Sequence, residues 1–206
     1  MIFAKAPVPG RVKTRLIPAL GARRAARLQA RLTHDLIGRM VEGAVCPSEL
    51  WASGARDPSF LALQARFGFP IRPQRGGDLG VRMELACRET LRSADAVVLV
   101  GTDCPLLTPD RIASALEMLG EVDVVLGPAE DGGYVLLALK RVDGSLFRGI
   151  PWGTERVAEL TRRRLSGLGW TWHEQPPLWD LDRPEDLSRL GKDLPGYFRT
   201  LVSPLD

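Results

Sequence analysis

Lys5, Arg11, Lys13 and Arg15 fall within eleven residues, Lys-Ala-Pro-Val-Pro-Gly-Arg-Val-Lys-Thr-Arg, directly after the short apolar run Ile2-Phe3-Ala4. Four cations on a stiffened turn can grip a polyanion, and a phosphate ester has the right charge and size. A Walker-type loop is disfavoured, because it cradles phosphate with successive backbone N–H groups and Pro7 and Pro9 have none. The grip must then come from the Lys13 and Arg15 side chains, with Gly10 permitting close approach. A solvated basic loop would have the same composition. Its position at the carboxyl end of a strand, where open α/β sheets place their ligands, favours phosphate.

Three acidic segments could face that loop. In Gly101-Thr102-Asp103-Cys104-Pro105 a lone carboxylate sits at the tip of an apolar run. Mg²⁺ keeps several waters and takes only one or two protein carboxylates, so Asp103 could hold it, although the same residue could simply close a turn on its own backbone. In the segment Gly127-Pro128-Ala129-Glu130-Asp131-Gly132-Gly133-Tyr134, Asp131 could contact a metal or a substrate hydroxyl, and the glycines bring backbone close to a ligand. A hairpin turn needs only the Asp-Gly step. In Trp179-Asp180-Leu181-Asp182, the alternate acids face one side if the stretch is extended. Asp182 offers a second metal carboxylate, and with Glu185 three residues later it also reads as a helix N-cap.

Two weaker segments add candidates. Residues 74–82 place Asp78 and Arg82 around a Gly-containing loop, and residues 150–154 offer the face of Trp152 and the hydroxyl of Thr154 at a helix N-terminus.

Charge divides the chain. The first forty residues carry nine Lys or Arg against Asp35 alone, a net +8 in a chain whose total is +3, so the remainder sums to −5. That asymmetry suits a metal-bound phosphate held between a basic wall and an acidic one. The basic excess is confined to the first forty residues and has little aromatic content interleaved, which argues against nucleic acid. No segment has the apolar length to cross a bilayer and no signal-peptide pattern follows Met1, which predicts a cytoplasmic protein without membrane insertion. Cys46, Cys87 and Cys104 match no zinc or disulfide spacing and read as reduced thiols.

At 206 residues and 45% hydrophobic content the chain can bury one substantial core, and a single domain over 1–206 is expected. β-rich runs alternate with amphipathic stretches, the pattern of a layered α/β domain with a mostly parallel sheet. Leu28, Leu32, Leu36 and Met40 recur every four residues, with Arg23, Arg24, Arg27 and Arg31 off that stripe, which predicts a helix packed on a sheet. Strands are expected at residues 2–4, 50–52, 96–100, 122–126 and 134–139. Further helices are expected from Asp57-Pro58 to near Gly68, over 79–91, from Thr108-Pro109 to about Leu119, and after Asp182.

These segments together resemble the bacterial DUF2064 glycosyltransferase-like family of the nucleotide-diphospho-sugar transferase superfamily, along almost the whole chain. The resemblance rests on residues 3–5 and 9–16, Gly77-Asp78-Leu79-Gly80, Gly101-Thr102-Asp103-Cys104-Pro105, the 127–134 segment, Trp152-Gly153-Thr154 and Asp180-Leu181-Asp182. Molybdenum-cofactor and 2-phospholactate guanylyltransferases are similar in pattern. One departure is Arg183, which stands where this segment commonly has Thr and sets a cation beside Asp182. The resemblance implies a GT-A fold, three layers with a mostly parallel mixed sheet. It also implies nucleotide phosphates near Lys13 and Arg15, and Mg²⁺ or Mn²⁺ near Asp103 and Asp182. Joined to the residue-by-residue reading, it gives Lys13, Asp103 and Asp131 as catalytic candidates. Lys5, Gly10, Arg11, Lys13, Arg15, Asp78 and Arg82 are the candidates for nucleotide and phosphate, and Gly132, Gly133, Tyr134, Trp152 and Thr154 for substrate. The implied function is metal-dependent transfer of a glycosyl or nucleotidyl group from a nucleotide or nucleotide-sugar to a small acceptor. The alternative is a catalytically silent nucleotide- or protein-binding module with the same fold.

Overall fold

The structure, a computed structural model, describes residues 1–202; the last four residues of the expected 1–206 domain lie outside the described residues. In chain order the elements are β1 (Ile2–Lys5), α1 (Ile17–Leu20), α2 (Ala22–Gly43), β2 (Leu50–Ser53), α3 (Pro58–Phe67), β3 (Ile71–Pro73) and α4 (Leu79–Thr90). They continue with β4 (Val97–Val100), α5 (Pro109–Met118), β5 (Val124–Pro128), β6 (Tyr134–Leu139), α6 (Val157–Gly167), β7 (Trp172–Glu174), α7 (Pro184–Asp193) and α8 (Pro195–Val202). The strands form one sheet in the order β3-β2-β1-β4-β6-β5-β7. Among the described strands only β6 runs antiparallel to its neighbours, pairing β4 and β5, so the sheet is mixed but mostly parallel.

Successive side chains of a strand point to opposite faces, and the burial follows that rule. Ile2, Ala4, Val98 and Val100 pack with Leu36, Ile37 and Met40 of α2, Phe60 of α3 and Ile112 of α5. Phe3, Val97 and Leu99 pack on the other face with Met83 and Cys87 of α4 and Leu165 of α6. Central strands covered on both sides must be apolar throughout, which is why β4 reads Val-Val-Leu-Val and is buried at every position.

β1 lies between β2, which follows it in sequence, and β4, which arrives after α4. The strand order reverses at this point, and the carboxyl ends of β1 and β4 open a crevice there. Lys5 closes β1 and residues 101–103 follow β4, so the basic loop and the acidic tip leave the sheet side by side. A separate apolar cluster, Leu16, Leu28, Leu32, Trp179, Leu181 and Leu190, fastens the N-terminal loop to the segment before α7 across the whole length of the chain.

Most expected elements occur within a residue or two of their predicted limits. One cap is corrected: the N-cap of α7 is Arg183, not Asp182. The Asp186 carboxylate, at the third helical position, accepts the backbone N–H groups of both Asp182 and Arg183 at 2.9 and 2.6 Å. Asp182 is thereby pushed one position out of the helix, and its side chain is released from capping. Thr108 takes the N-cap conformation of α5 without a side-chain cap bond. The strands β3 and β7 and the helices α1 and α8 were not anticipated, and of α6 only its start near Thr154 was.

Leu181 is fully buried in the cluster that joins the two ends of the chain. Leu181→Ala is expected to cost about 2–5 kcal/mol. Urea denaturation would show this as a lower midpoint at unchanged slope.

Candidate active site

The site begins with a residue in an unusual conformation. Lys13 has φ +46° and ψ +41°, left-handed backbone that costs a non-glycine residue about 1–2 kcal/mol. This conformation turns its side chain inward, where it is 1% exposed. There Nζ donates to the Leu181 carbonyl at 2.7 Å and lies 2.7 Å from Oδ1 of Asp103. Leu181 in turn donates its backbone N–H to the Asp103 carbonyl at 2.9 Å. The N-terminal loop, the tip of β4 and the segment before α7 thus meet at one ammonium group.

Asp103 is only partly spent on that contact. Its Oδ1 is buried against the Lys13 ammonium, while its side chain as a whole is 45% exposed, so the other oxygen faces the cleft. Thr102, one residue earlier, accepts from Gln29 Nε2 of α2 at 2.8 Å, and Thr33 donates to the Gln29 carbonyl at 2.9 Å. This buried chain of neutral polar groups fixes the strand tip against α2.

A cleft of about 490 Å³ opens over these groups. Its lining brings together Lys5, Arg11, Lys13, Arg15 and Arg82 with Asp103, Asp131, Asp180 and Asp182, and adds Gly133, Tyr134, Trp152 and Thr154. Gly10, Asp78 and Gly132 are outside the lining but shape it. Gly10 takes φ +81° in the basic loop. Asp78 caps α4 by accepting from Val81 N at 2.9 Å. Gly132 has φ +87°, and a Cβ there would meet the Glu155 carbonyl at 2.1 Å, so only glycine lets the loop dock on the start of α6.

Several candidates already have partners. Arg15 donates to Asp182 at 2.6 Å in a half-exposed pair. Arg82 donates to the Gly76 and Gly77 carbonyls at 3.3 and 2.8 Å and so holds the loop before α4. Exposed Asp131 accepts from Gly133 N at 2.9 Å, which closes the turn between β5 and β6. Thr154 donates to the Pro151 carbonyl at 2.8 Å. Tyr134 and Trp152 meet edge to face at 6.1 Å, with the phenol oxygen and indole nitrogen both buried and without a hydrogen-bond partner among the described residues. Burial raises the Tyr134 phenol above its ordinary range.

Asp180 carries the electrostatic tension of the site. Burial first, and then the negative charges of Asp103, Asp131 and Asp182, push its carboxyl up to about 7 against the pull of Lys13. The sequence placed it only as a neighbour of Asp182. Gln29, Ser53, Gln74 and Leu79 also line the cleft and were not singled out, since neutral polar or apolar residues give no local signal of a ligand.

A family model described as an uncharacterized protein conserved in bacteria (DUF2064) matches residues 36–154. The chain belongs to the DUF2064 family. This DUF2064 protein is 33% identical over 135 residues to a Chloroflexus aggregans protein named phosphoenolpyruvate guanylyltransferase, a match spanning 62% of this chain and 65% of that one. A Sphaerobacter thermophilus protein of the same name is 30% identical over 149 residues, 68% of each chain. A crystal structure from Desulfovibrio desulfuricans G20, classed as a nucleotide-diphospho-sugar transferase, superposes with a TM-score of 0.84 at 28% identity over 96% of this chain and 88% of that one. The Mycobacterium tuberculosis glucosyl-3-phosphoglycerate synthase, solved with Mn²⁺, UDP and glucosyl-3-phosphoglycerate, shares the fold at a TM-score of 0.55 and 13% identity, over all of this chain and 80% of that one. The expected GT-A-type architecture is therefore the one found.

A divalent cation fits the residues present. Among the described residues no three carboxylate, imidazole or thiol groups form a cage. Mg²⁺ needs none, since it completes its shell with water and substrate phosphate. The cleft-facing second oxygen of Asp103 is a free oxygen donor, and the Asp180 carboxyl beside it is raised by burial and then by the neighbouring carboxylates.

That raised carboxyl makes a pH prediction. The folded Asp180 keeps its proton to about 7 whereas the unfolded group releases it near 3.8, so the folded state binds more protons in this window and loses stability as pH rises through it. In paired urea titrations at pH 5 and pH 8, Asp180→Asn is expected to lose less stability than the natural chain on going to the higher pH. An identical loss in both would remove Asp180 as the strained group.

Proposed function

We propose that this protein is a cytoplasmic, divalent-metal-dependent nucleotidyltransferase that moves a guanylyl group from GTP to a small anionic acceptor. The observation that carries this reading is the buried Lys13 ammonium, fixed 2.7 Å from Asp103 in a cleft that cations and carboxylates line together. Both curated relatives are named for guanylyl transfer, and phosphoenolpyruvate, the acceptor in their names, is the first to test. Three free cysteines, two of them buried, fit a reducing compartment.

In the proposed reaction a phosphate oxygen of the acceptor bonds to the α-phosphorus of GTP as the bond to the pyrophosphate oxygen breaks. Lys13, Arg11 and Arg15 lie where they can neutralise charge growing on the pyrophosphate. Arg15 is available for this because its pair with Asp182 is half exposed, and such pairs contribute little. Asp103 and Asp182 are the residues assigned to Mg²⁺ or Mn²⁺, which when bound would offset charge on the transferring phosphates. An ionised phosphate attacks without a general base, so Asp131 need only hold its turn. With a sugar donor and a hydroxyl acceptor, Asp131 would instead take the proton. That second reading, glycosyl transfer, is favoured by the near full-length likeness to the Desulfovibrio structure.

Pyrophosphate release from GTP with phosphoenolpyruvate and Mg²⁺, set against nucleoside diphosphate release from a panel of nucleotide-sugars, separates the two. Pyrophosphate is expected. Lys13→Met and Asp103→Asn should each lower kcat/KM by about two orders of magnitude or more, and Asp103→Asn should also lose metal dependence. Neither product forming, with nucleotide bound equally with and without Mg²⁺, would leave a silent binding module.

A further inference from the structure

Gln74 follows β3 and enters the same cleft as Lys5, Ser53 and Leu79. Along the carboxyl edge of the sheet it stands on the β3 side of β1, whereas Asp103 stands on the β4 side. Its backbone N–H donates to the Ala52 carbonyl at 3.1 Å, which seats it against β2. The side-chain Nε2 donates to two carbonyls on two strands, Ala4 at 3.0 Å and Trp51 at 2.9 Å.

Two acceptors facing one end of an amide decide which end is nitrogen, because an oxygen there would leave both carbonyls unbonded. The amide cannot flip, and Oε1 is left pointing away from the strands with no donor to it among the described residues. Gln74 therefore offers the cleft an acceptor and nothing else. Leu79, the first residue of α4, is 42% exposed and lines the same cleft. An apolar side chain open to water beside a fixed acceptor suits a flat ring that carries N–H groups on its edge.

We propose that Gln74 is the specificity-determining residue for the base, its Oε1 accepting from the N1–H and 2-amino groups of guanine. Adenine has a bare ring nitrogen in place of N1–H and no 2-amino group, so it sets acceptor against acceptor. A site built to receive a donor rejects an analogue that lacks one, because its own polar atom is left unpaired. This inference rests on the guanylyl transfer proposed above and adds the residue and the atom that read the base.

Calorimetry with GTP, ITP, N1-methyl-GTP and ATP on the natural chain, with turnover measured in parallel, tests it. ITP keeps N1–H and is expected to bind within about tenfold of GTP, while N1-methyl-GTP and ATP should both bind at least about tenfold more weakly. Gln74→Met should shrink the GTP-to-ATP preference by a similar factor, with thermal unfolding run alongside to check the fold. Should that variant not fold, the four nucleotides on the natural chain decide the matter. Equal binding of GTP, N1-methyl-GTP and ATP, or an unchanged preference in folded Gln74→Met, overturns the base reading and leaves transfer intact. Selective GTP binding without pyrophosphate release from any acceptor does the reverse: it sustains this role of Gln74 and sinks the transfer.

Discussion

A buried ammonium group with one carbonyl and one carboxylate beside it is the constraint on which the site depends. Lys13 has given up water, so it must be met by protein acceptors, and these come from Leu181 and Asp103. The left-handed backbone of Lys13 is a local cost that the apolar cluster around Leu16, Trp179 and Leu181 offsets. That cluster closes the chain on itself, and without it the basic loop would have no reason to meet a segment nearly 170 residues away. Strain held by surrounding packing is common where a group must be ready before its ligand arrives.

The acidic wall is positioned by equally specific contacts. The loop that carries Asp131 is held on one side by Ala158 N–H donating to the Gly132 carbonyl and on the other by Arg189 of α7. Arg189 donates to both oxygens of Glu130, and its guanidinium also lies 4.8 Å from the centre of the Trp179 ring. Trp179 belongs to the cluster that seats Lys13, so the two walls share one support. Asp180, enclosed near Asp103, Asp131 and Asp182, takes the strain of their charges with only the pull of Lys13 against it. Carboxylates clustered and partly buried in this way are costly unless positive charge stands beside them.

Much of this was legible in the chain. The every-fourth-residue stripe from Leu28 to Met40 became the buried face of α2, and the unbroken apolar run before Gly101 became the central strand β4. Charge at strand ends pointed to the basic loop and Asp103, an acidic Gly-rich turn to Asp131 and alternating acids to Asp182, and all but Gly10, Asp78 and Gly132 of the named candidates line one cleft. The rest was hidden for identifiable reasons. The strands β3 and β7 are three residues each, too short for a period-two pattern to register. The cap of α7 moved by one position because Asp186 reaches back to two N–H groups, a competition that residue spacing alone does not resolve. Gln29 and Gln74 are neutral and solitary in sequence; only the approach of Thr102 to one and of two strand carbonyls to the other reveals what they do.

The most direct measurement is a crystal structure with Mn²⁺ and a non-hydrolysable GTP analogue, locating the ion by its anomalous signal. The account predicts manganese against the Asp103 carboxylate, with the triphosphate lying between it and the Lys13–Arg15 turn. Manganese and nucleotide bound elsewhere, with the Lys13–Asp103 contact facing only solvent, would contradict it.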